Sequence, residues 1–169
     1  MELWDLLDGD GNPLGRTHRR GEPLPEGAFH RVVEIFTVNS AGLLLVTRRA
    51  PDKFPFPDAW EVTGGAVLAG EDSLTAAKRE LREETGIAVE DSDITFLHRH
   101  RGKAYLMDVY LARSDTPVEE MTMQPGETSA ARWVTFDEWE RMMADGGIPE
   151  PVARRYDGVK TLLREKTGG

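Results

Sequence analysis

Apolar and turn-forming residues alternate along the chain in a pattern that predicts short strands joined by tight turns. Residues 30–39 and 43–48 are rich in Val, Ile, Leu and Phe, and the second run is almost continuously apolar. Such a run is typical of a strand that is buried on both faces, so we place residues 43–48 near the centre of a sheet. The same reasoning predicts further strands at residues 2–7, 14–20, 60–63, 94–99, 104–112 and 131–134.

Other segments show the spacing of helices. Between Leu74 and Leu81 apolar residues recur at intervals of three or four, which predicts a helix that begins at Asp72 or Ser73 and ends at Gly86. Further helices are predicted over residues 136–144, begun by Thr135 or Asp137, and over residues 150–166, with Pro151 in the first turn.

The order of these elements indicates the fold class. Strands mixed with a few helices predict an α/β protein, an α/β/α sandwich. We expect a single domain over residues 1–169, with an N-terminal β-hairpin extension (1–28), a core (29–140) and a C-terminal helix (141–169). Turn-forming residues at 8–13 would close the hairpin.

Composition excludes several classes of function. The net charge is −9 and the basic residues form no long run, so binding to a nucleic acid polymer is not expected. The chain has no cysteine, which excludes disulfides, thiolate zinc sites and cysteine nucleophiles. No apolar run approaches the length of a membrane span and no signal peptide is evident, so we expect no membrane partner and a cytoplasmic location.

Three carboxylates of the predicted helix at residues 73–85 share one face. Glu80, Glu83 and Glu84 stand at positions i, i+3 and i+4, where like charges repel one another. A bound cation would remove this repulsion, and ligands that are all oxygen favour Mg²⁺, with Mn²⁺ as an alternative. We therefore predict that these three glutamates are metal ligands.

The segment around these carboxylates resembles the Nudix box. The box is a Gly, five residues, a Glu, seven residues, Arg-Glu, an aliphatic residue, any residue, Glu-Glu, any residue, a Gly and an aliphatic residue. Its fixed positions are filled here by Gly65, Glu71, Arg79, Glu80, Leu81, Glu83, Glu84, Gly86 and Ile87. Because every fixed position is filled, a functional motif is favoured over an acidic helix face that is merely solvated. The resemblance covers roughly residues 29–140, and it implies a Nudix-type α/β/α sandwich with a mixed sheet between the helices. It also implies a Mg²⁺-dependent pyrophosphohydrolase acting on acid anhydrides.

The resemblance also implies roles for other residues of the box. Gly65 would add a backbone carbonyl to the metal ligands, and Glu71 would orient the loop of the motif. Arg79 is expected to be structural or to balance charge, because it lies four residues before Glu83 and could hold that side chain in place.

The general base has several candidates in the sequence. One of the motif glutamates, Glu83 or Glu84, could accept the proton while the others bind metal. The other candidate is Glu127, since related enzymes often supply an acidic residue from a loop just before the Trp-containing strand at 131–134. Glu61 and Asp108 are weaker candidates, because the sequence does not indicate which way their side chains point.

Three basic residues are candidates for binding the diphosphate of the substrate. Arg48, Arg49 and Lys53 lie at the end of the apolar strand and in the loop that follows it. Charge-assisted hydrogen bonds from such groups bind phosphate oxygens. Because side chains alternate along a strand, we do not expect both arginines to face the site.

Two alternatives to hydrolysis remain. Residues 4–8 and 48–55 resemble Nudix proteins that are grouped with isopentenyl diphosphate isomerase, which moves a carbon–carbon double bond with the help of a cysteine that this chain lacks. A non-catalytic nucleotide-binding module would tend to lose the metal-binding carboxylates, and none is lost here. The complete box favours hydrolysis of a nucleoside diphosphate linked to another moiety. A homodimer is common among such proteins.

Overall fold

The structure, a computed structural model, describes residues 2–168 of the chain. The predicted strands and helices are present with two differences. The strand predicted over residues 60–63 is divided into two short strands, and the strand predicted over residues 131–134 begins three residues earlier than expected. The strands are β1 (Leu3–Leu7), β2 (Pro13–Arg19), β3 (His30–Val38), β4 (Leu44–Arg49), β5 (Trp60–Glu61), β6 (Thr63–Ala66), β7 (Ile94–Arg101), β8 (Tyr105–Arg113) and β9 (Thr128–Val134). The helices are α1 (Ser73–Thr85), α2 (Phe136–Ala144) and α3 (Glu150–Thr167).

The main sheet divides into two branches. Its strands follow the order β5-β4-β3-β8-β7, while β6 pairs with β3 and β9 pairs with β4. The β3–β8 pair is parallel and the other pairs are antiparallel, so the sheet is mixed. β3 and β4 pair where Val38 lies opposite Leu44, and beyond that point each strand takes different partners. The divergence of β3 and β4 opens space between the branches.

Helices cover both faces of this sheet. Val33 and Ile35 of β3 pack in one apolar cluster with Leu81 of α1. Phe36, whose side chain points the other way, packs with Trp139 of α2 in a second cluster. Burial of both faces of β3 explains its nearly continuous apolar sequence. The predicted α/β/α sandwich is confirmed.

The helix ends follow local capping chemistry. Asp72 caps α1 by accepting a hydrogen bond from the backbone N–H of Thr75 at 2.9 Å, and Gly86 ends the helix with a left-handed φ of 78°. Thr135 caps α2 by accepting from the backbone N–H of Glu138 at 3.1 Å. Within residues 2–168, no helix combines the length and apolar character needed to cross a bilayer.

The N-terminal hairpin packs against the start of β3. The backbone N–H of Leu7 donates to the Phe29 carbonyl at 2.8 Å, and the N–H of Phe29 donates to the Leu7 carbonyl at 2.9 Å. The indole of Trp4 stacks on the imidazole of His30 with 4.2 Å between ring centroids. Burial, together with nearby His18, lowers the pKa of His30 to about 4, so this imidazole is neutral at pH 7. The hairpin therefore covers the first residue of β3.

Glu140 links α2 to α3 through an ionic network. Its Oε1 accepts hydrogen bonds from Arg164 at 2.8 Å and Tyr156 at 3.0 Å, and Lys160 Nζ lies 2.9 Å from the same oxygen. Lys160 and then Arg164 lower the pKa of Glu140 from 4.5 to about 2. Because the folded pKa is the lower one, the stabilisation is present above about pH 4.5 and is lost as the pH falls through about 2.

We expect Glu140→Gln to lower the free energy of unfolding by about 1 kcal/mol at pH 7, because a network of charges is broken. The difference from wild type should shrink as the pH falls toward 2, as measured by urea denaturation across that range. Glu150→Gln is the matched control, since Glu150 pairs with Arg154 of the same helix at 2.6 Å in an exposed position. A Glu140→Gln difference that did not vary with pH would contradict the network's role.

Candidate active site

Arg79 organises the loop that precedes α1. Its Nε and Nη2 donate to the two carboxylate oxygens of Glu71, each at 2.9 Å, and Nη2 also donates to the Ala66 carbonyl at 2.9 Å. Glu71 accepts a third hydrogen bond, at 3.0 Å, from the backbone N–H of Leu68. Burial opposes ionisation of Glu71, but these hydrogen bonds outweigh burial and lower its pKa. The pair fixes residues 66–71 against the first turns of the helix.

The second Nη of Arg79 reaches two of the predicted metal ligands. Nη1 donates to Glu80 at 2.7 Å and to Glu83 at 3.1 Å. The Glu80 carboxylate lies directly against Gly65 of β6, where a Cβ atom would overlap it. Burial raises the pKa of Glu80, with Arg79 opposing. Glu83 is more open, with its side chain 45% exposed.

Glu84 is the most deeply placed carboxylate of the three. The residue is 4% exposed, and its Oε2 has no hydrogen-bond partner among residues 2–168. Burial raises the pKa of Glu84 to about 8, against the opposing charge of Lys53, whose Nζ lies 4.0 Å from Oε1. An orphaned carboxylate oxygen in such a place calls for a donor or a cation.

Lys53 connects Glu84 to the candidate base Glu127. Its Nζ contacts Glu127 Oε2 directly. The loop carrying Lys53 is tied to the loop before β9 by the backbone N–H of Ala50, which donates to the Glu127 carbonyl at 2.9 Å. The fold thus brings Glu127 beside α1, although the two are more than 40 residues apart in the sequence.

The donor set fits a hard divalent cation. Glu80, Glu83, Glu84 and the Gly65 carbonyl offer only oxygen atoms, which suits Mg²⁺. The unpartnered oxygen of Glu84 and the close contact between the Glu80 carboxylate and Gly65 fit such an ion. Within the described chain, however, no three acidic or histidine side chains are gathered tightly enough to form a preassembled cage. The ligand set therefore stays a prediction, with Arg79 and Lys53 supplying the positive charge beside these carboxylates.

A cavity of about 490 Å³ opens where β3 and β4 diverge. Its walls come from β3, β6 and β8, from the ends of β4 and β5, from Trp4 of the hairpin and from the start of α3. The cavity reaches Gly65, the residue against which the carboxylate of Glu80 lies. It is therefore continuous with the candidate metal site.

The structure separates the predicted phosphate-binding residues. Arg49 lines the cavity and its Nη1 donates to Glu61 at 2.8 Å. Arg48 lies outside the cavity, where its Nη2 pairs with Asp58 at 3.1 Å in an exposed position. Alternation along β4 accounts for the difference, so that of these two arginines only Arg49 faces the cavity.

The weaker candidates for a general base occupy different environments. Glu61 faces the cavity but is already paired with Arg49. Asp108 is fully buried in β8, where Arg99 donates to both of its oxygens, at 2.5 and 3.0 Å, and Arg31 lies 3.7 Å away. Its ion pairs and its burial make Asp108 a structural residue that holds β7 and β3 to β8.

A model of the NUDIX domain family matches residues 28–154 of this chain. The chain belongs to the Nudix hydrolase family. The family predicted from the box is confirmed. A Nudix hydrolase of Listeria monocytogenes is 35% identical over 147 residues, which cover 86% of this chain and 87% of the relative.

Two further comparisons bear on this Nudix protein. The isopentenyl-diphosphate Delta-isomerase of Streptomyces avermitilis is 32% identical over 175 residues, covering 98% of this chain and 87% of the isomerase. A crystal structure of a Deinococcus radiodurans protein superposes with a TM-score of 0.72 at 31% identity, covering 86% of this chain and 90% of the other. Similarity therefore extends to proteins named for either chemistry.

Sequence reasoning missed two residues of the cavity in this Nudix protein. Glu34 is 3% exposed in the middle of β3, and its Oε1 accepts from Arg155 Nε at 2.9 Å and Nη2 at 2.7 Å. Both residues line the cavity. A glutamate between Val33 and Ile35 was the available signal, because a charged residue in a buried strand needs a partner. Its partner on α3, 121 positions away, could not be inferred from spacing.

Proposed function

We propose that this Nudix protein hydrolyses a phosphoanhydride bond in a nucleoside diphosphate linked to another moiety, and that it uses Mg²⁺ or Mn²⁺ to do so. The observation that carries the proposal is the set of carboxylates Glu80, Glu83 and Glu84 on α1, of which Glu80 lies against Gly65 at the edge of a cavity with cationic groups. When bound, the cation would neutralise phosphate charge and lower the pKa of a water molecule. The homodimer implied by the resemblance stays a prediction.

Within this proposal the chain's own residues have distinct tasks. Arg49 binds a phosphate oxygen from the cavity side, and Lys53 does so from the side of Glu84. Glu127 is the favoured base, because it is the carboxylate outside α1 that reaches the same ammonium group as Glu84. Arg79 and Glu71 hold the loop before α1 in position.

Double-bond isomerisation is the second candidate function, and the similarity to the Streptomyces isomerase supports it. The residue types oppose it. The resemblance to the isomerases calls for a cysteine, and the chain has none. The segment where that cysteine would fall reads Trp60-Glu61-Val62-Thr63-Gly64-Gly65, which offers no thiol. Hydrolysis therefore remains the first proposal.

The test is a panel of phosphoanhydrides incubated with the protein and Mg²⁺, Mn²⁺ or a chelator. The panel contains nucleoside diphosphates and triphosphates, nucleotide sugars, dinucleotides and isopentenyl diphosphate. We expect cleavage of at least one nucleotide that stops when the metal is chelated. Rearrangement of isopentenyl diphosphate without any cleavage would instead identify an isomerase. Nucleotide binding without either reaction would indicate a binding module.

A further inference from the structure

Unpartnered polar atoms concentrate around the cavity between β3 and β4. Four buried side-chain atoms of its lining lack a hydrogen-bond partner within residues 2–168. They are Trp4 Nε1, His30 Nδ1, Glu34 Oε2 and Arg49 Nε. Buried polar atoms are normally paired, so each orphan needs an explanation. Four orphans in the lining of one cavity point to a shared partner that enters it.

The chemistry of these atoms defines what that partner must offer. Trp4 Nε1 and Arg49 Nε carry N–H donors, and Glu34 Oε2 is an acceptor. His30 is neutral, so its Nδ1 donates or accepts according to its tautomer. A ligand that satisfies this set must present both donors and acceptors. A hydrocarbon tail presents neither and would leave every orphan unsatisfied.

Glu34 is the most demanding member of the set. Arg155 occupies only Oε1, through two hydrogen bonds of 2.9 and 2.7 Å, and so fixes the carboxylate in place. The other oxygen is buried without a donor, which is costly for a charged group. Glu34 lies opposite Gly64 in the β3–β6 ladder, and the next residue of β6, Gly65, contacts the carboxylate of Glu80. A group bound at Glu34 would therefore lie next to the candidate metal site.

We propose that this cavity binds the moiety attached to the diphosphate, and that Glu34 selects moieties carrying a hydroxyl or amino hydrogen-bond donor over hydrocarbon ones. The donor would come from a sugar hydroxyl or from the exocyclic amine of a base. Arg155 is a positioning residue that orients Glu34. Trp4, which belongs to the hairpin, would contact the same moiety through its indole N–H. The assignment rests on the proposed function only in taking a diphosphate to lie beside α1.

The test compares the affinities of wild-type and variant protein for ligands that carry or lack a particular hydrogen-bond donor. Each dissociation constant is measured by isothermal titration calorimetry in the presence of Mg²⁺. The probes are non-cleavable α,β-methylene analogues of adenosine, inosine and 2′-deoxyadenosine diphosphates. The hydrocarbon probe is the corresponding methylene analogue of isopentenyl diphosphate, called isopentenyl diphosphate below. Glu34→Gln should weaken binding of the adenosine analogue by about 10- to 100-fold, because an accepting charged oxygen becomes an amide N–H₂. Binding of isopentenyl diphosphate should change less than about threefold.

The remaining probes identify the donor. If the amine is recognised, Glu34→Gln should have little effect on the inosine analogue, and if the 2′-hydroxyl is recognised, little effect on the deoxy analogue. Equal weakening of all four probes, or weakening of none, would overturn the assignment. So would tighter binding of isopentenyl diphosphate than of every nucleotide by the wild-type protein.

A second variant keeps the test independent of the buried ion pair. Trp4→Phe removes one donor but retains an aromatic ring against His30, so it should weaken nucleotide binding by about 3- to 10-fold and spare isopentenyl diphosphate. Because the probes cannot be cleaved, a failed hydrolysis panel leaves these results intact. If the protein cleaved a nucleotide in the hydrolysis panel but Glu34→Gln weakened the binding of all probes equally or of none, only the specificity assigned to Glu34 would be wrong.

Discussion

Glu83→Gln is expected to lower kcat for phosphoanhydride cleavage by about 1000-fold while leaving the fold intact. A metal ion supplies several kcal/mol of transition-state stabilisation, and each 1.4 kcal/mol corresponds to about tenfold in rate. Glutamine keeps the shape of Glu83 but removes the charge that would hold the cation. The side chain is 45% exposed and accepts one hydrogen bond from Arg79 at 3.1 Å, which the amide oxygen of glutamine can still accept, so the free energy of unfolding should change by less than about 1 kcal/mol.

The measurement is steady-state kinetics across a Mg²⁺ titration, with thermal unfolding recorded on the same samples. The Mg²⁺ concentration for half-maximal rate should rise in the variant along with the loss in kcat. Glu90→Gln is the control, because Glu90 is an exposed carboxylate just beyond the end of α1. If Glu83→Gln retained near-normal kcat and Mg²⁺ dependence, the assignment of Glu83 as a metal ligand would be wrong.

Gly65→Ala should lower kcat by about 100-fold, mainly through displacement of Glu80. A Cβ on Gly65 would overlap the carboxyl group of Glu80, which is the flexible end of a side chain and can move away. A displacement of about 1 Å at a reacting centre is enough to cost about 100-fold in rate. Because the backbone of β6 need not shift, we expect a cost in stability near the low end of the roughly 1–3 kcal/mol range for overpacking.

Two other glycines make this prediction specific. A Cβ on Gly64 would strike the backbone carbonyl of Val33, which cannot yield, so Gly64→Ala should destabilise the fold itself. Gly158→Ala on α3 meets nothing within 4 Å and should leave kcat unchanged while slightly stabilising the helix. Kinetics and urea denaturation on all three variants separate the two effects. Full activity in Gly65→Ala would show that the position of Glu80 does not matter.

Much of the fold could be predicted because its signals are local. The apolar spacing of α1, with Asp72 before it and Gly86 after it, predicted a helix whose bounds the structure confirms. Alternation along β4 predicted that Arg48 and Arg49 point in opposite directions, and they contact different partners. Each of these inferences needed only a few neighbouring residues.

The cavity could not be predicted in the same way, because its walls depend on long-range pairing. Nothing in the local pattern indicates that β3 runs parallel to β8 or that it separates from β4 after Val38. The ion pair between Glu34 and Arg155, and the stacking of Trp4 on the first residue of β3, follow from that topology. The carboxylates of α1, in contrast, lie within one turn of helix and were visible from spacing alone.

The origin of the cavity walls has an evolutionary consequence. Trp4 and Arg155 come from segments that lie before and after the core strands, whereas the proposed metal ligands lie within residues 65–87. Mutations in the outer segments can therefore reshape the cavity without disturbing the carboxylates that perform the chemistry. Relatives that keep the same box are then free to diverge in the compounds they accept. Differences in substrate preference among such relatives should correlate with sequence differences in the hairpin and the last helix more closely than with differences in the motif.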